Sequence, residues 1–336
     1  MNIQKNASLL AFNTFGIDAK ADFIIEYTSA EELQEVLRSE IVKQNKLLHV
    51  GSGSNLLFMK DFNGVVLHSA IQFIEKISED ADSVCIEVGA GVVWDDFVAH
   101  SVENGWGGIE NLSLIPGETG ASAVQNIGAY GVEVQDVIVE VKTVDVETVS
   151  VHTFLNAECH YGYRESIFKN ELKGKCIVTS VVFKLEKNPS FKLNYQHLEE
   201  EVLKTGDVNL QNIRKTIIAV RESKLPDPKV YGNAGSFFMN PVIAKSAFNA
   251  LQAQYPQMPH YYVSETEEKV PAGWLIDQCG WKGKQIGNAG VHDKQALVLV
   301  NKGGAIGAEI VHLAEEIQKS VEERFGIVLK PEVNYI

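Results

Sequence analysis

The chain has 336 residues, 45% of them hydrophobic, and a formal net charge of −14 at pH 7. This length and composition are typical of a globular protein with two or three cores, and no apolar run is long enough to span a bilayer. The acidic balance disfavours nucleic acid as a partner because the phosphates would be repelled, so a small-molecule partner is favoured.

The four cysteines lie far apart and form no CxxC pair, so we expect neither a metal site nor a disulfide framework. The first residues, MNIQKNASLLAFNTF, lack the basic start and apolar stretch of a secretory signal. These features predict a cytoplasmic protein.

The first part of the chain predicts a β-α-β arrangement. The segment SAEELQEVLRSE contains a capping box from Ser29 to Glu32, and apolar residues as far as Ile41 follow it at helical spacing. The runs KLLHV, GVVLHSA and SVCIEVG are typical of strands.

Alternating valines between residues 132 and 186 predict strands with one buried face. Two helical patterns follow, HLEEEVLK and VNLQNIRKTIIAVRESK, and the segment KLPDPKVYGNAG (224–235) is typical of a domain boundary.

Beyond this boundary, SAFNALQAQ predicts a helix, and AGWLIDQC predicts another with Gly280 as its stop. The run ALVLV predicts a strand, and a long helix is expected from about Ala308 to Phe325, ended by Gly326. The tail IVLKPEVNYI reads as a strand, and the whole pattern indicates an α+β protein.

Two glycine-rich segments are candidates for binding an anion. GSGSN (51–55) follows a predicted strand, and its small residues allow backbone N–H groups to approach phosphate, although a plain turn explains the pattern equally well. It is not the Rossmann fingerprint because Leu56 occupies the third glycine position. IPGETGASAVQNIGAYG (115–131) is a second such run, and the two together favour a dinucleotide.

The segment GNAGSFFMNP (232–241) places Ser236 after a glycine turn. A nucleophile elbow needs glycine two positions either side of the serine, where this chain has Ala234 and Phe238. An acyl-transfer serine is therefore disfavoured, and on its own the pattern indicates an ordinary turn.

Together these segments resemble the UDP-N-acetylenolpyruvoylglucosamine reductase family, in its longer form with a tyrosine loop. The resemblance runs in the family's order from residue 13 to the C-terminus, over NTFGI, GSGSN, ENLSLIPGETGASAVQNIGAYGVE, YGYRES, NYQHLEEE, KLPDPKVYGNAGSFFMNP, AGWLID and LKPEV.

The resemblance implies an FAD-binding fold of the vanillyl-alcohol oxidase and p-cresol methylhydroxylase type, plus a C-terminal α+β substrate domain. The domains expected on this basis are residues 1–70 with 326–336 and residues 71–225 for FAD, and residues 226–325 for the substrate. The implied enzyme is a monomer that works in bacterial peptidoglycan synthesis without nucleic acid or membrane partners. It passes hydride from NADPH through non-covalent FAD to UDP-N-acetylglucosamine enolpyruvate, giving UDP-N-acetylmuramate.

The resemblance also implies roles for individual residues. Arg164 faces the substrate carboxylate, where its forked donors suit a growing negative charge, Glu332 lies near the same carboxylate, and Ser236 supplies the proton. Substrate contacts are implied for Tyr195, Lys224, Asn240 and Gln295. FAD contacts are implied for Asn13, Thr14, Phe15, Gly51, Ser52, Gly53, Ser54, Asn55, Pro116, Gly117, Gly120, Ala121, Ser122, Gln125, Asn126, Gly128, Ala129, Tyr130 and Gly131.

Two other functions remain open from the sequence. An oxidase with the same flavin fold is disfavoured by the matching residues Ser236, Asn240 and Glu332. A catalytically idle nucleotide-sugar-binding flavoprotein would be favoured by loss of Arg164, Ser236 or Glu332, and all three are present.

Overall fold

The fold is described from a computed structural model that covers residues 2–195 and 197–336. Its strands are β1 (Asn2–Ser8), β2 (Lys20–Tyr27), β3 (Leu47–Val50), β4 (Leu56–Leu57), β5 (Phe62–Ser69), β6 (Ile74–Glu79), β7 (Ser83–Gly89), β8 (Gly128–Ala129), β9 (Val132–Glu133), β10 (Ile138–Asp145), β11 (Val151–Leu155), β12 (Cys176–Glu186), β13 (Val242–Ala244), β14 (Tyr261–Ser264), β15 (Glu267–Lys269), β16 (Gln285–Ile286), β17 (Ala289–Val291), β18 (Leu299–Asn301) and β19 (Asn334–Tyr335).

The α-helices are α1 (Ala30–Arg38), α2 (Glu40–Lys43), α3 (Trp94–Glu103), α4 (Thr119–Gln125), α5 (Leu198–Thr205), α6 (Leu210–Lys224), α7 (Lys245–Gln254), α8 (Ala272–Gln278) and α9 (Gly307–Phe325). Within the described ranges, no helix combines the length and the apolar character that a bilayer span requires.

The chain divides into two compact units. Unit 1 comprises residues 1–7, 21–52 and 62–221, and unit 2 comprises residues 8–20, 53–61 and 222–336. Both units mix helices and strands, as the sequence predicted.

Unit 1 is built on two sheets. The first has the order β1-β2-β5-β3, and β5 pairs in parallel with both β2 and β3. Parallel pairing needs a crossover, which α1 and α2 provide between β2 and β3, so the predicted β-α-β opening is confirmed. The second sheet has the order β11-β10-β12-β7-β6, and all of its neighbouring strands pair antiparallel.

The core of unit 1 explains why these elements form. Residues Leu33, Val36 and Leu37 of α1 lie on one helix face and pack against apolar residues of the first sheet. Against the second sheet, Phe97 and Phe183 have ring centroids 5.0 Å apart in a tilted pair, beside buried Trp94. Packing on buried aromatic and β-branched residues therefore fixes the positions of the loops between the strands.

Unit 2 contains three small sheets, β13-β15-β14, β16-β17-β18 and the parallel pair β4-β19. Helix α9 buries seven residues, among them Leu313, Ile317 and Val321, and ends at Gly326 with φ +66°. The left-handed conformation at this position favours glycine, so the predicted helix stop is confirmed.

Three predicted elements differ in the structure. The first helix ends at Arg38, because the Ser39 N–H donates to the carbonyl of Val36 while its hydroxyl accepts from Val42 and begins α2, which contains Ile41. The ALVLV strand is shorter and begins at Leu299. In the tail, only Asn334 and Tyr335 form a strand, and Pro331 forms an isolated antiparallel bridge with Phe238.

Gly53 and Gly16 offer a matched test of backbone packing. Both have left-handed φ values, +68° and +64°, but a Cβ on Gly53 would lie 1.9 Å from the carbonyl oxygen of Phe12, whereas a Cβ on Gly16 has open space. We expect Gly16→Ala to lower the free energy of unfolding by about 1 kcal/mol and Gly53→Ala by about 3 kcal/mol or more, since the second adds overpacking to dihedral strain. Denaturant unfolding of the FAD-free variants measures both, and equal losses would contradict the close approach.

Candidate active site

The first glycine segment begins in unit 1 with Gly51 and Ser52. The Ser52 hydroxyl is buried and has no hydrogen-bond partner among the residues that the structure describes. The position of a Cβ on Gly51 is 3.0 Å from Oε2 of Glu118, so this loop lies directly against the second glycine segment. A buried hydroxyl without a protein partner is costly unless a ligand or water satisfies it, which makes Ser52 a candidate ligand contact.

In unit 2, the NTFGI segment and the rest of the first glycine segment lie side by side. The Thr14 N–H donates to the Gly53 carbonyl at 3.3 Å, and the Thr14 hydroxyl donates to the Asn233 carbonyl at 2.6 Å. The Asn13 side chain donates a hydrogen bond to the Leu9 carbonyl and accepts one from the Ile17 N–H. The Phe15 side chain is fully buried. These two side chains shape the turn, so any ligand contact they make goes through the main chain.

The second glycine segment in unit 1 packs tightly against its neighbours. A Cβ on Gly120 would lie 2.8 Å from the Cβ of Ala90, so only glycine fits at this position without displacement. Helix α4 ends at Asn126 in the left-handed conformation with φ +44°. The side chain of Asn126 donates to the Gly162 carbonyl at 2.8 Å and so connects this loop to the YGYRES segment.

Arg164 lies on that YGYRES segment, in a tight turn closed by reciprocal 3.0 Å backbone bonds between Gly162 and Glu165. Its φ is +58°, which is uncommon for a residue other than glycine and is typical of strained functional positions. Nη2 donates to the Gly128 carbonyl at 2.7 Å and Nη1 to the Asn126 carbonyl at 3.4 Å. The guanidinium is therefore oriented by the glycine segment itself.

A second guanidinium, which the sequence analysis did not select, lies near Arg164. Burial lowers the pKa of Arg221, and the charge of Arg164 acts in the same direction, whereas Tyr130 and Asp95 raise it. Asp95 is engaged by Arg214, at 2.6 Å and 2.9 Å. The only sequence signal for Arg221 is its position two helical turns after Arg214, on the same face of α6.

Tyr195 contacts the second glycine segment. Its ring and the ring of Tyr130 meet edge to face with centroids 5.8 Å apart, and its Cβ is 3.8 Å from the Cβ position of Gly131. Tyr195 precedes α5 rather than lying in it, because the helix begins at Leu198. The neighbouring Gln196 lies outside the described residues.

In unit 2, Ser236 follows a turn that Asn233 organises. The Asn233 side chain accepts from the Gly235 N–H at 2.9 Å, and Gly235 has φ +67°. The main chain then runs antiparallel to Val298, while Phe237 and Phe238 are buried and Ser236 is exposed. The buried phenylalanines thus fix a main chain that presents the Ser236 hydroxyl on the surface of unit 2.

Glu332 lies next to this segment because its main chain is bonded to Phe237. The Phe237 N–H donates to the Leu297 carbonyl at 2.8 Å, and the Phe237 carbonyl accepts from the Glu332 N–H at 2.8 Å. The Glu332 carbonyl in turn accepts from the Asn55 side chain at 3.1 Å. Phe237 is therefore bonded through its N–H to one segment and through its carbonyl to the segment of Glu332. Because Ser236 directly precedes Phe237, these bonds fix the main chain at Ser236 next to the segment of Glu332.

The expected substrate residues of unit 2 fall into two groups. The Asn240 Oδ1 accepts from the Ala272 N–H at 2.9 Å, and the Gln295 Oε1 lies 3.1 Å from the Cβ position of Gly273, so both side chains meet the first turn of α8. Lys224, the last residue of α6, is exposed.

Models of known families match both parts of the chain. Residues 21–154 match an FAD binding domain, and residues 227–336 match the UDP-N-acetylenolpyruvoylglucosamine reductase C-terminal domain. Two similar relatives, each named UDP-N-acetylenolpyruvoylglucosamine reductase, come from Bacteroides fragilis and Flavobacterium johnsoniae. The first is 53% identical over 99% of this chain and 100% of the relative, and the second is 50% identical over 100% of both.

A reductase of the same name from Thermus caldophilus has a similar solved structure, with a TM-score of 0.71, 23% identity, and coverage of 100% of this chain and 99% of that one. The fold, the FAD domain and the names of the relatives define an α+β flavoprotein oxidoreductase. Within that class, the identity over the full length of the relatives shows that the chain belongs to the UDP-N-acetylenolpyruvoylglucosamine reductase family.

The residues present fit FAD. The orphaned Ser52 hydroxyl can donate to a phosphate oxygen, and a Cβ on Gly51 would lie 3.0 Å from Oε2 of Glu118, which is tighter than an ordinary contact. These are the features expected where two backbone loops receive a pyrophosphate.

Ser52→Ala separates a cofactor contact from a structural one. Loss of one hydrogen bond to FAD should weaken binding by about 1 kcal/mol, or about fivefold in Kd. The FAD-free protein should be as stable as the parent or slightly more stable, because a buried unsatisfied hydroxyl is removed. Flavin binding and thermal unfolding measure the two effects, with Ser150→Ala in the β10–β11 turn as the control. Unchanged flavin affinity would remove Ser52 from the site.

Proposed function

We propose that this chain reduces UDP-N-acetylglucosamine enolpyruvate to UDP-N-acetylmuramate in bacterial peptidoglycan synthesis, with NADPH as the reductant. The observation that carries this proposal is the main-chain pairing of Phe237, which places the segment of half-buried Glu332 beside the segment of exposed Ser236. Family membership over the full chain supports it, and favours it over an oxidase and over an idle binding protein.

FAD, when bound, relays hydride from NADPH to the terminal carbon of the enolpyruvyl group. We assign its binding to the segment of Asn13, Thr14 and Phe15, to the loop from Gly51 to Asn55, and to residues of the second glycine segment. The last group consists of Pro116, Gly117, Gly120, Ala121, Ser122, Gln125, Asn126, Gly128, Ala129, Tyr130 and Gly131. The buried Ser52 hydroxyl and the tight packing of Gly120 support the assignment in unit 1.

Arg164 stabilises the substrate carboxylate as negative charge grows on it. A preorganised cation costs little reorganisation when the charge develops, and Arg164 is fixed by two backbone carbonyls and by its own turn. A lysine would not replace it, because a single ammonium cannot make the two-pronged contact.

Ser236 donates the proton that the reaction requires at the adjacent carbon. A hydroxyl is a weak acid, but a carbanion-like intermediate is a strong base, so a positioned hydroxyl suffices. Glu332 shares a proton with the same intermediate. The bonds of Phe237 support both roles because they fix the main chain at Ser236 and at Glu332.

Lys224, Asn240 and Gln295 bind the nucleotide part of the substrate, and Tyr195 closes over it. The position of Asn240 and Gln295 at the first turn of α8 supports a ligand shared by these two residues. The contact of Tyr195 with Tyr130 and Gly131 supports a place for Tyr195 beside the second glycine segment.

The domain boundaries, the oligomeric state and the cellular location are also part of the proposal. We propose two FAD subdomains, residues 1–70 with 326–336 and residues 71–225, and a substrate domain of residues 226–325. The parallel pairing of β4 with β19 supports joining the two chain ends in one subdomain. We also propose that the protein is a cytoplasmic monomer.

Ser236→Ala tests the proposed proton donor. Reduction of the bound flavin by NADPH should remain nearly intact, because that half-reaction needs no proton at the substrate carbon. Reoxidation by the enolpyruvyl substrate should slow by about a hundredfold or more, the usual scale for a lost positioned acid. Rapid mixing of each half-reaction measures the two rates.

Ser236→Cys serves as the matched variant and should retain part of the rate, since a thiol of similar reach can give a proton. Equal slowing of both half-reactions in Ser236→Ala would show that Ser236 shapes the site and is not its acid.

Tyr195→Phe tests the proposed closing residue. The change removes one hydroxyl and keeps the ring that contacts Tyr130, so substrate affinity should fall by about 1 kcal/mol while flavin reduction by NADPH is spared. Titration of the oxidised enzyme with the substrate nucleotide measures the affinity. If affinity is unchanged, the Tyr195 hydroxyl does not contact the substrate.

A further inference from the structure

A chain of polar groups in unit 1 leads from the first sheet to the two glycine segments. His68, on β5, has Nε2 3.0 Å from Oε1 of Glu118 and Nδ1 3.3 Å from Oε1 of Glu26 on β2. The His68 and Glu118 side chains are largely buried, and Glu26 is partly exposed. The other Glu118 oxygen, Oε2, lies 3.0 Å from the Cβ position of Gly51.

This geometry favours the imidazolium form of His68. A neutral imidazole donates from one nitrogen only, whereas both nitrogens of His68 face carboxylate oxygens, which accept and do not donate when ionised. Burial lowers the pKa of His68, but the hydrogen bonds and charges of Glu118 and Glu26 outweigh it, and the net pKa is raised.

The other titratable groups facing His68 do not reverse this conclusion. His49 lies on β3 next to β5, and burial, with the charge of His68 second, lowers its pKa to about 3. Its Nε2 is 2.7 Å from the hydroxyl of Tyr27, whose pKa burial raises. His49 and Tyr27 are therefore uncharged near neutral pH, and the charged groups here are His68, Glu118 and Glu26.

We propose that His68 neutralises Glu118 so that the loop from Gly51 to Ser52 can accept the FAD pyrophosphate, which makes FAD retention depend on pH. This inference rests on the proposed FAD site. A carboxylate beside Gly51 repels a pyrophosphate, and a protonated His68 3.0 Å from that carboxylate offsets the repulsion. His68 and Glu118 are positioning residues for the cofactor loop.

The sign of the effect follows from linkage. An anion bound nearby raises the pKa of His68 further, so the cofactor-bound state holds the proton more tightly than the cofactor-free state. The Kd for FAD is therefore lowest below the pKa of His68 and rises as pH rises through it. If bound FAD shifts this pKa by about one unit, the Kd increases about tenfold.

The test measures FAD released from the diluted holoenzyme by its fluorescence, from about pH 6 to about pH 9, a range that extends above the ordinary pKa of histidine. The wild type should show the rise. Glu118→Gln should bind FAD more tightly than the wild type at high pH, because the repelling charge is gone, and its rise should move to lower pH, because His68 loses the carboxylate at its Nε2. His68→Gln should have a pH-independent Kd close to the wild-type value at high pH.

Two further variants keep the test decisive if a buried substitution disturbs folding. Glu26→Gln removes the partner of His68 that does not touch the loop, so the rise should keep its size and move to lower pH. His312→Gln, at an exposed position of α9, is the matched control and should reproduce the wild-type profile.

A pH-independent Kd in the wild type would overturn the inference, and so would an unchanged rise in Glu118→Gln. Both outcomes leave the FAD site intact. A folded protein that binds no FAD at any pH would instead overturn the proposed function.

Discussion

The backbone pairing of Phe237 is the constraint on which the proposed chemistry depends. One N–H and one carbonyl, with bonds of 2.8 Å on each side, join the chain at Leu297 to the chain at Glu332, and the buried ring of Phe237 anchors the residue between them. Ser236 and Glu332 come from distant parts of the sequence, and this pairing, together with the bond from the Met239 N–H to the Lys330 carbonyl, brings their segments together. The main-chain bonds and the buried ring of Phe237 therefore fix where Ser236 and Glu332 lie.

In unit 1, the loops that carry the proposed FAD contacts are fixed in a different way from the Ser236 segment of unit 2. These loops are fixed by backbone positions that side chains would disturb, such as Gly120 against Ala90, and by a left-handed arginine whose guanidinium binds carbonyls of the neighbouring loop. Strain at Arg164 is offset by the reciprocal bonds of its turn. The electrostatic arrangement is completed from the sheet side by His68, which faces a carboxylate at each nitrogen.

Local signals in the sequence predicted much of this fold and fewer details of the site. The capping serine of α1 and the glycine after α9 act within a few residues, and both were predicted correctly, whereas Ile41 was misplaced because Ser39 both ends one helix and begins the next. Family motifs selected Arg164 and Ser236, but nothing local distinguishes His68, Glu118 or Arg221. What distinguishes them is a contact across 50 residues of sequence for His68 and Glu118, and burial for Arg221.

The central claim is that this chain carries electrons from NADPH through FAD to an enolpyruvyl sugar nucleotide. The most direct measurement is the visible absorption spectrum of the purified protein without oxygen, first after NADPH and then after the enolpyruvyl substrate. The account predicts a yellow protein that bleaches with NADPH and regains its colour as UDP-N-acetylmuramate forms. A folded protein that takes up no FAD, or one that bleaches with NADPH and stays bleached with substrate, would contradict it.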